Sequence, residues 1–201
     1  MPADDFVVTP WNVEGDIDYD KLIKRFGTQK ITPELLSKIE KFTHESHFML
    51  RRGIFFSHRD LNRLLDDYEK GKKFFLYTGR GPSGHTHIGH LVPWVFAKWL
   101  QDKFGAKMYF QLTDDEKFWS KKDMTLEKTS QFALENALDF IALGFKPENT
   151  KIIIDTKNIK TLYPIAAEVA KRINFSNTKA VFGFENETNV GMIFYTSLQS
   201  A

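Results

Sequence analysis

His87 and His90 stand three residues apart at the end of the stretch Tyr77-Thr78-Gly79-Arg80-Gly81-Pro82-Ser83-Gly84-His85-Thr86-His87-Ile88-Gly89-His90. Residues three apart on a helix share a face, so two imidazoles here project from one side of a first turn. A helix N-terminus offers unpaired N–H groups and a partial positive charge, which suits phosphate. The glycines let backbone come close to a ligand. Two imidazoles at such a tip can hydrogen-bond phosphate oxygens as charge builds on a phosphoryl group in transfer. The competing readings are a surface coincidence, half of a metal site without carboxylate partners, and a glycine turn that serves packing alone. A short apolar run before the glycines, Pro82, and a helical pattern after them favour the phosphate reading.

A second polar block, Gln111-Leu112-Thr113-Asp114-Asp115-Glu116-Lys117, closes a second apolar run. Taken alone, Gln111 reads as a polar group at a strand end and Glu116 as an exposed salt-bridge partner. Asp114 and Asp115 invite an acid–base reading, but neighbours on an extended chain point opposite ways. They are expected to cap and shape a loop, without a shared proton. His44, His47, His58 and His85 read as surface or structural. The chain has no cysteine, which excludes disulfides, thiolate metal sites and a cysteine nucleophile.

These residues need a frame, and the hydrophobic pattern supplies one. Phe74–Tyr77, Met108–Leu112 and Ile152–Ile154 are short apolar runs that read as buried strands. Between them lie helical patterns, from about His87 to Lys103 and from a Thr125 cap to Gly144, the latter with Phe132, Leu134, Ala137, Leu138 and Ile141 inward. A further helix runs on to about Arg172. Strands alternating with helices predict an α/β fold with a Rossmann-like parallel sheet, whose ligands bind beyond the carboxyl ends of the strands. Residues 1–18 read as an arm or hairpin and residues 19–72 as a helical segment. Residues 73–201 read as the first part of a nucleotide-binding domain. In the helical segment Tyr19–Phe26 stops at Gly27, Thr32 caps a helix with Pro33 first, and Ser57 with Asp60 opens a helix to about Glu69. The apolar pattern Val190, Ile193, Phe194, Leu198 still runs at Ala201, so a truncated chain with an incomplete sheet is expected.

Composition bounds the rest. The 201 residues suit one domain or one with an appendage, and 42% hydrophobic with 27% charged residues is ordinary for a globular protein. A net charge of +2 does not announce nucleic-acid binding. The acidic N-terminus lacks the apolar core of a signal peptide, and no stretch approaches the roughly 18 apolar residues of a membrane span. A cytoplasmic protein with no membrane partner is expected.

Pro82 through His90 resembles the signature of class I aminoacyl-tRNA synthetases. Tyr77–Ser83, Gln111–Lys117, Arg51–Asp60 and Asp18–Gly27 resemble blocks of the tryptophanyl-tRNA synthetases of eukaryotic and archaeal type. The resemblance implies a ligase that activates tryptophan with ATP and Mg2+ and loads it onto tRNA(Trp), acting as a homodimer, with no metal bound by the protein itself. It implies catalytic roles for His87 and His90, and ATP-binding roles for Arg80, Gly81, Gly89, His90 and Lys117. Tyr77 and Gln111 would read the indole N–H, which is a donor without acceptor capacity; Glu116 and Gln199 would hold the substrate ammonium. The Gln199 segment departs from the family, with Phe194-Tyr195-Thr196 where members commonly show Ser-Phe-Pro. The family's later Lys-Met-Ser-Lys-Ser-type loop and anticodon-binding domain are not in this sequence, so the chain alone is expected to be a poor catalyst. The arm Phe6–Val13 is expected to close over the nucleotide as a lid. A tyrosyl-tRNA synthetase, a small nucleotidylyltransferase and a shortened, non-catalytic binding product are the rival readings.

Overall fold

A computed structural model describes residues 6–8, 13–15 and 18–201. It divides into two compact units, Met1–Phe74 and Phe75–Ala201. In the first, β1 (Phe6–Val8) and β2 (Val13–Gly15) pair antiparallel, with Phe6 opposite Gly15. The lid expected of Phe6–Val13 lies partly outside the described residues. Local hydrogen bonds then set the boundaries of α1 (Tyr19–Phe26) and α2 (Pro33–Thr43). Asp18 Oδ1 accepts from Asp20 N at 3.0 Å and Lys21 N at 3.1 Å, and α1 ends where Gly27 turns left-handed at φ 61°. Thr32 accepts from Leu35 N at 3.3 Å, and Leu35 and Ile39 are buried beneath α2.

Between α1 and α2 lies β3 (Gln29–Lys30), which pairs with β4 (Ser57–His58) farther on; α3 (Phe48–Arg51) precedes β4 and α4 (Leu61–Glu69) follows it. Here the expected capping box fails. Ser57 lies in β4 opposite Lys30, and Asp60 occupies the cap position without a side-chain cap bond. His58 Nδ1 takes the orphan donor instead, accepting from Leu61 N at 3.2 Å. Pairing with a distant segment pulled Ser57 away from the helix it would have capped.

The second unit runs β5 (Phe75–Arg80), α5 (Ile88–Phe104), β6 (Lys107–Leu112), α6 (Asp114–Ser120), α7 (Leu126–Ala142), β7 (Thr150–Ile154), α8 (Asp155–Ala170), α9 (Phe175–Phe182) and α10 (Val190–Gln199). The strands lie parallel in the order β5-β6-β7, with Gly79 opposite Gln111 and Gln111 opposite Ile153. Trp94 of α5, Phe110 of β6 and Phe140 of α7 form the core, Phe110 and Phe140 stacking with centroids 3.7 Å apart.

Two expectations of burial are corrected. β5 is not a buried run: it lies at the sheet edge and alternates, with Phe75 64% and Tyr77 52% exposed. Strand side chains alternate between faces, and these two stand on the same one, Phe75 edge-on to Tyr109. On α7, Leu134, Leu138 and Ile141 are exposed rather than inward, and the buried face is Thr129, Ala133, Asn136, Ala137 and Phe140. Ala133 and Ala137 join Phe140 in the core, while Asn136 Nδ2 donates to the Gly84 carbonyl at 3.1 Å. A buried amide must find its partner, and that bond helps choose the face.

Candidate active site

The carboxyl ends of the three strands, the loop after β5 and the first turns of α5, α6 and α8 carry the polar residues of interest. β5 and β6 approach closely because residue 79 is glycine; a Cβ there would overlap the Gln111 carbonyl oxygen. That approach brings the Tyr77 hydroxyl onto Gln111, donating to Oε1. Gln111 is buried, and its Nε2 donates to Asp155 Oδ1 at 2.8 Å. Burial, then the charge of Asp155, raises the Tyr77 pKa, so the phenol stays protonated.

α6 delivers three buried acids in a row. Asp114 accepts from Thr156 N at 3.1 Å, Thr156 Oγ1 at 2.5 Å and Ser130 Oγ at 3.0 Å, tying the starts of α7 and α8 to α6. It therefore caps, as expected of it. Asp115 accepts from Glu116 N at 2.7 Å, and burial above all raises its pKa to about 6. The acid on which the Asp115 charge acts is Asp155, 40 residues along the chain, which reasoning from adjacent residues could not supply. Glu116 is 2% exposed, with Lys117 Nζ at 2.9 Å and Thr113 Oγ1 donating at 3.5 Å. A side chain at Gly81 would strike both Glu116 and Lys117, so the loop backbone crosses their heads only as glycine.

The two histidines form a reciprocal cap at the start of α5. His87 is the N-cap, its Nδ1 accepting from Gly89 N at 3.2 Å, and His90 Nδ1 accepts from His87 N at 3.2 Å. With both Nδ1 atoms acting as acceptors, each neutral ring carries its hydrogen on Nε2. The ring centroids are 3.7 Å apart. Burial, then the Arg80 charge and His87, lowers the His90 pKa. Two N–H donors are thus presented side by side.

Arg80 is turned toward the loop. Its Nη2 donates to the Gly84 and His85 carbonyls at 3.0 and 2.9 Å, while Nε and Nη1 are buried with no partner among the described residues. Gln199, the last residue of α10, is exposed. One turn before it, Tyr195 is buried, its ionisation suppressed by burial and then by the Glu116 charge. Tyr77, Gln111, Asp155, Asp115, Glu116 and Tyr195 thus act on one another. Among the described residues no group of three or more His, Asp or Glu could hold a metal ion.

Sequence reading missed Asp155 and Tyr195. The signal for Asp155 was present: an acid directly after Ile152-Ile153-Ile154 holds the same strand-end position that drew attention to Gln111. Tyr195 carried no comparable signal.

Residues 69–201 match the family described as class I tRNA synthetases (W and Y). The tryptophan–tRNA ligase of Pyrobaculum calidifontis is 55% identical over 198 residues, which cover 98% of this chain and 53% of that protein. Among solved structures, the tryptophanyl-tRNA synthetase of Plasmodium falciparum superposes with a TM-score of 0.87 at 44% identity, over 91% of this chain and 51% of that one. The Encephalitozoon cuniculi synthetase bound to tryptophan superposes with a TM-score of 0.86 at 38% identity, over 90% and 54%. The chain spans about half the length of the curated relatives it matches.

Proposed function

The chain belongs to the class I tRNA synthetases of the tryptophan and tyrosine group, and from that membership we propose that it carries the tryptophan-activating site of a tryptophan–tRNA ligase. The tryptophan carboxylate attacks the α-phosphorus of ATP, held with Mg2+; pyrophosphate leaves and tryptophanyl-adenylate forms. A hydroxyl of the terminal adenosine of tRNA(Trp) then takes the aminoacyl group, and AMP leaves. Little covalent chemistry falls to the protein, so in-line positioning and stabilisation of phosphate charge supply the rate.

The observation that carries this reading is the direction of one hydrogen bond. The Tyr77 hydroxyl gives its proton to Gln111, which leaves the phenolic oxygen as an acceptor for the indole N–H. A site built to bond that group rejects analogues that leave it unpaired. Glu116 and Gln199 serve the ammonium. The Nε2 hydrogens of His87 and His90 serve phosphate oxygens, Gly81 and Gly89 admit the nucleotide to the backbone, and Lys117 and Arg80 add positive charge. ATP–pyrophosphate exchange driven by tryptophan and not by tyrosine is the expected outcome. Comparable exchange with tyrosine would overturn the choice of substrate.

A cytoplasmic homodimer is the proposed state. No helix among the described residues is long and apolar enough to cross a membrane. The exposed row Leu134, Leu138 and Ile141 on α7 supports dimerisation, because an apolar patch in contact with water marks a surface that gains from being covered. Leu138→Glu is expected to shift sedimentation toward monomer; an unchanged dimer would remove that face from the interface.

A further inference from the structure

Asp155, the first residue of α8, is wholly buried behind Gln111. Its Oδ1 accepts from Gln111 Nε2 at 2.8 Å, while its Oδ2 meets no donor among the described residues. The acid whose charge most opposes its ionisation is Asp115, itself buried. Two buried carboxylates that act on each other repel, whereas one proton between them satisfies both. The groups acting on Asp155 are acids: Asp115 and Asp114 from α6, with Tyr77 of β5 and Tyr195 of α10 within its field. The helix terminus favours charge on Asp155, but burial and then the Asp115 charge prevail and raise its pKa to about 8.

We propose that Asp155 sets the hydrogen-bond polarity of the tryptophan pocket: joined to Asp115 by a shared proton, it holds the Gln111 amide with nitrogen inward and oxygen on Tyr77. The inference rests on the tryptophan reading above. A primary amide has nearly the same shape either way round, so packing alone does not choose between its oxygen and nitrogen. Turned over, Gln111 would donate to Tyr77, and the freed phenol proton would point at the ligand. The pocket would then offer a donor, the wrong partner for an indole N–H. Asp155, protonated on Oδ2, offers Gln111 only the acceptor Oδ1 and so excludes that state. Loss of the shared proton leaves two buried charges in contact, which drives them apart and releases the amide. Asp155 acts through Gln111 and is a positioning residue.

The test compares the full chain with Asp155→Asn and Asp155→Ala, measuring calorimetric affinity for L-tryptophan and for its benzothienyl analogue, in which sulfur replaces the indole N–H, across the pair's titration range. Asn mimics the protonated acid, with its oxygen for Gln111 and its N–H for Asp115. Asp155→Asn is expected to bind tryptophan within about threefold of wild type, and Asp155→Ala about tenfold or more weakly with reduced preference over the analogue, the size of one lost buried hydrogen bond. Wild-type affinity should fall as pH rises through the pair's titration, relative to Asp155→Asn. The ammonium of the ligand titrates alike in both, so the difference isolates the pair. A wild-type chain that fails to bind tryptophan at any pH overturns the functional reading and this inference with it. Wild-type binding with Asp155→Asn as weak as Asp155→Ala, or with the same pH profile in wild type and Asp155→Asn, overturns the inference alone.

Discussion

The His87–His90 tip lies within four consecutive residues, is open to solvent at His87, and is held by bonds between neighbours. The cluster of Gln111, Asp155 and Asp115 takes one member each from β6, α8 and α6, and all three are buried. The difference suits what each would meet. A phosphate arrives with its own charge and counterion, so donors waiting in water lose little while the site is empty. An indole brings one weak donor, and only a pocket whose other hydrogen bonds are already satisfied makes that donor decisive. Openness goes with the charged, reacting end, and internal satisfaction with the end that discriminates.

The comparison can be broken at either side. Replacing His87 or His90 by Ala is expected to slow adenylate formation by about 10²–10³-fold, the usual loss of a donor to developing charge, with little change in tryptophan affinity. Rapid-quench and calorimetric measurements on the same variant separate the two, and equal losses in both would erase the division of labour. The buried side should reveal itself in ligand-free stability. Unfolded, Asp155 loses its proton near pH 3.9; folded, it keeps the proton to about pH 8. Between those values the folded state binds more protons, so stability falls steadily as pH rises through the interval. Urea titrations of wild type and Asp155→Asn should diverge across that range, and parallel curves would deny the protonated pair.

Two smaller effects sharpen the contrast. Gln111→Ala should weaken tryptophan binding by about 1–3 kcal/mol, the cost of a buried group left unpaired, while barely affecting ATP affinity. Unchanged tryptophan affinity in calorimetry would take Gln111 out of the pocket. Gly79→Ala forces β5 away from the Gln111 carbonyl and should cost about 1–2 kcal/mol of stability by overpacking, with a parallel loss of tryptophan affinity. A thermal midpoint equal to wild type would show that the strands do not need that approach.

Much of this was readable from residues in order. The stop of α1 at Gly27, the Thr32 cap of α2 and the alternation of strands and helices follow from short-range backbone chemistry and hydrophobic period, whereas the reciprocal cap between His87 and His90 came only with the structure. The tertiary structure alone decided which side of α7 is buried, that β5 is an edge, that Ser57 joins a strand pair rather than a helix cap, and that Asp115 answers to Asp155. Those outcomes depend on what packs against each segment, and a buried group's partner can come from anywhere in the chain. Sequence alone specified which hydrogen bonds neighbours could make; the fold chose which distant groups lost their water and had to be satisfied by one another.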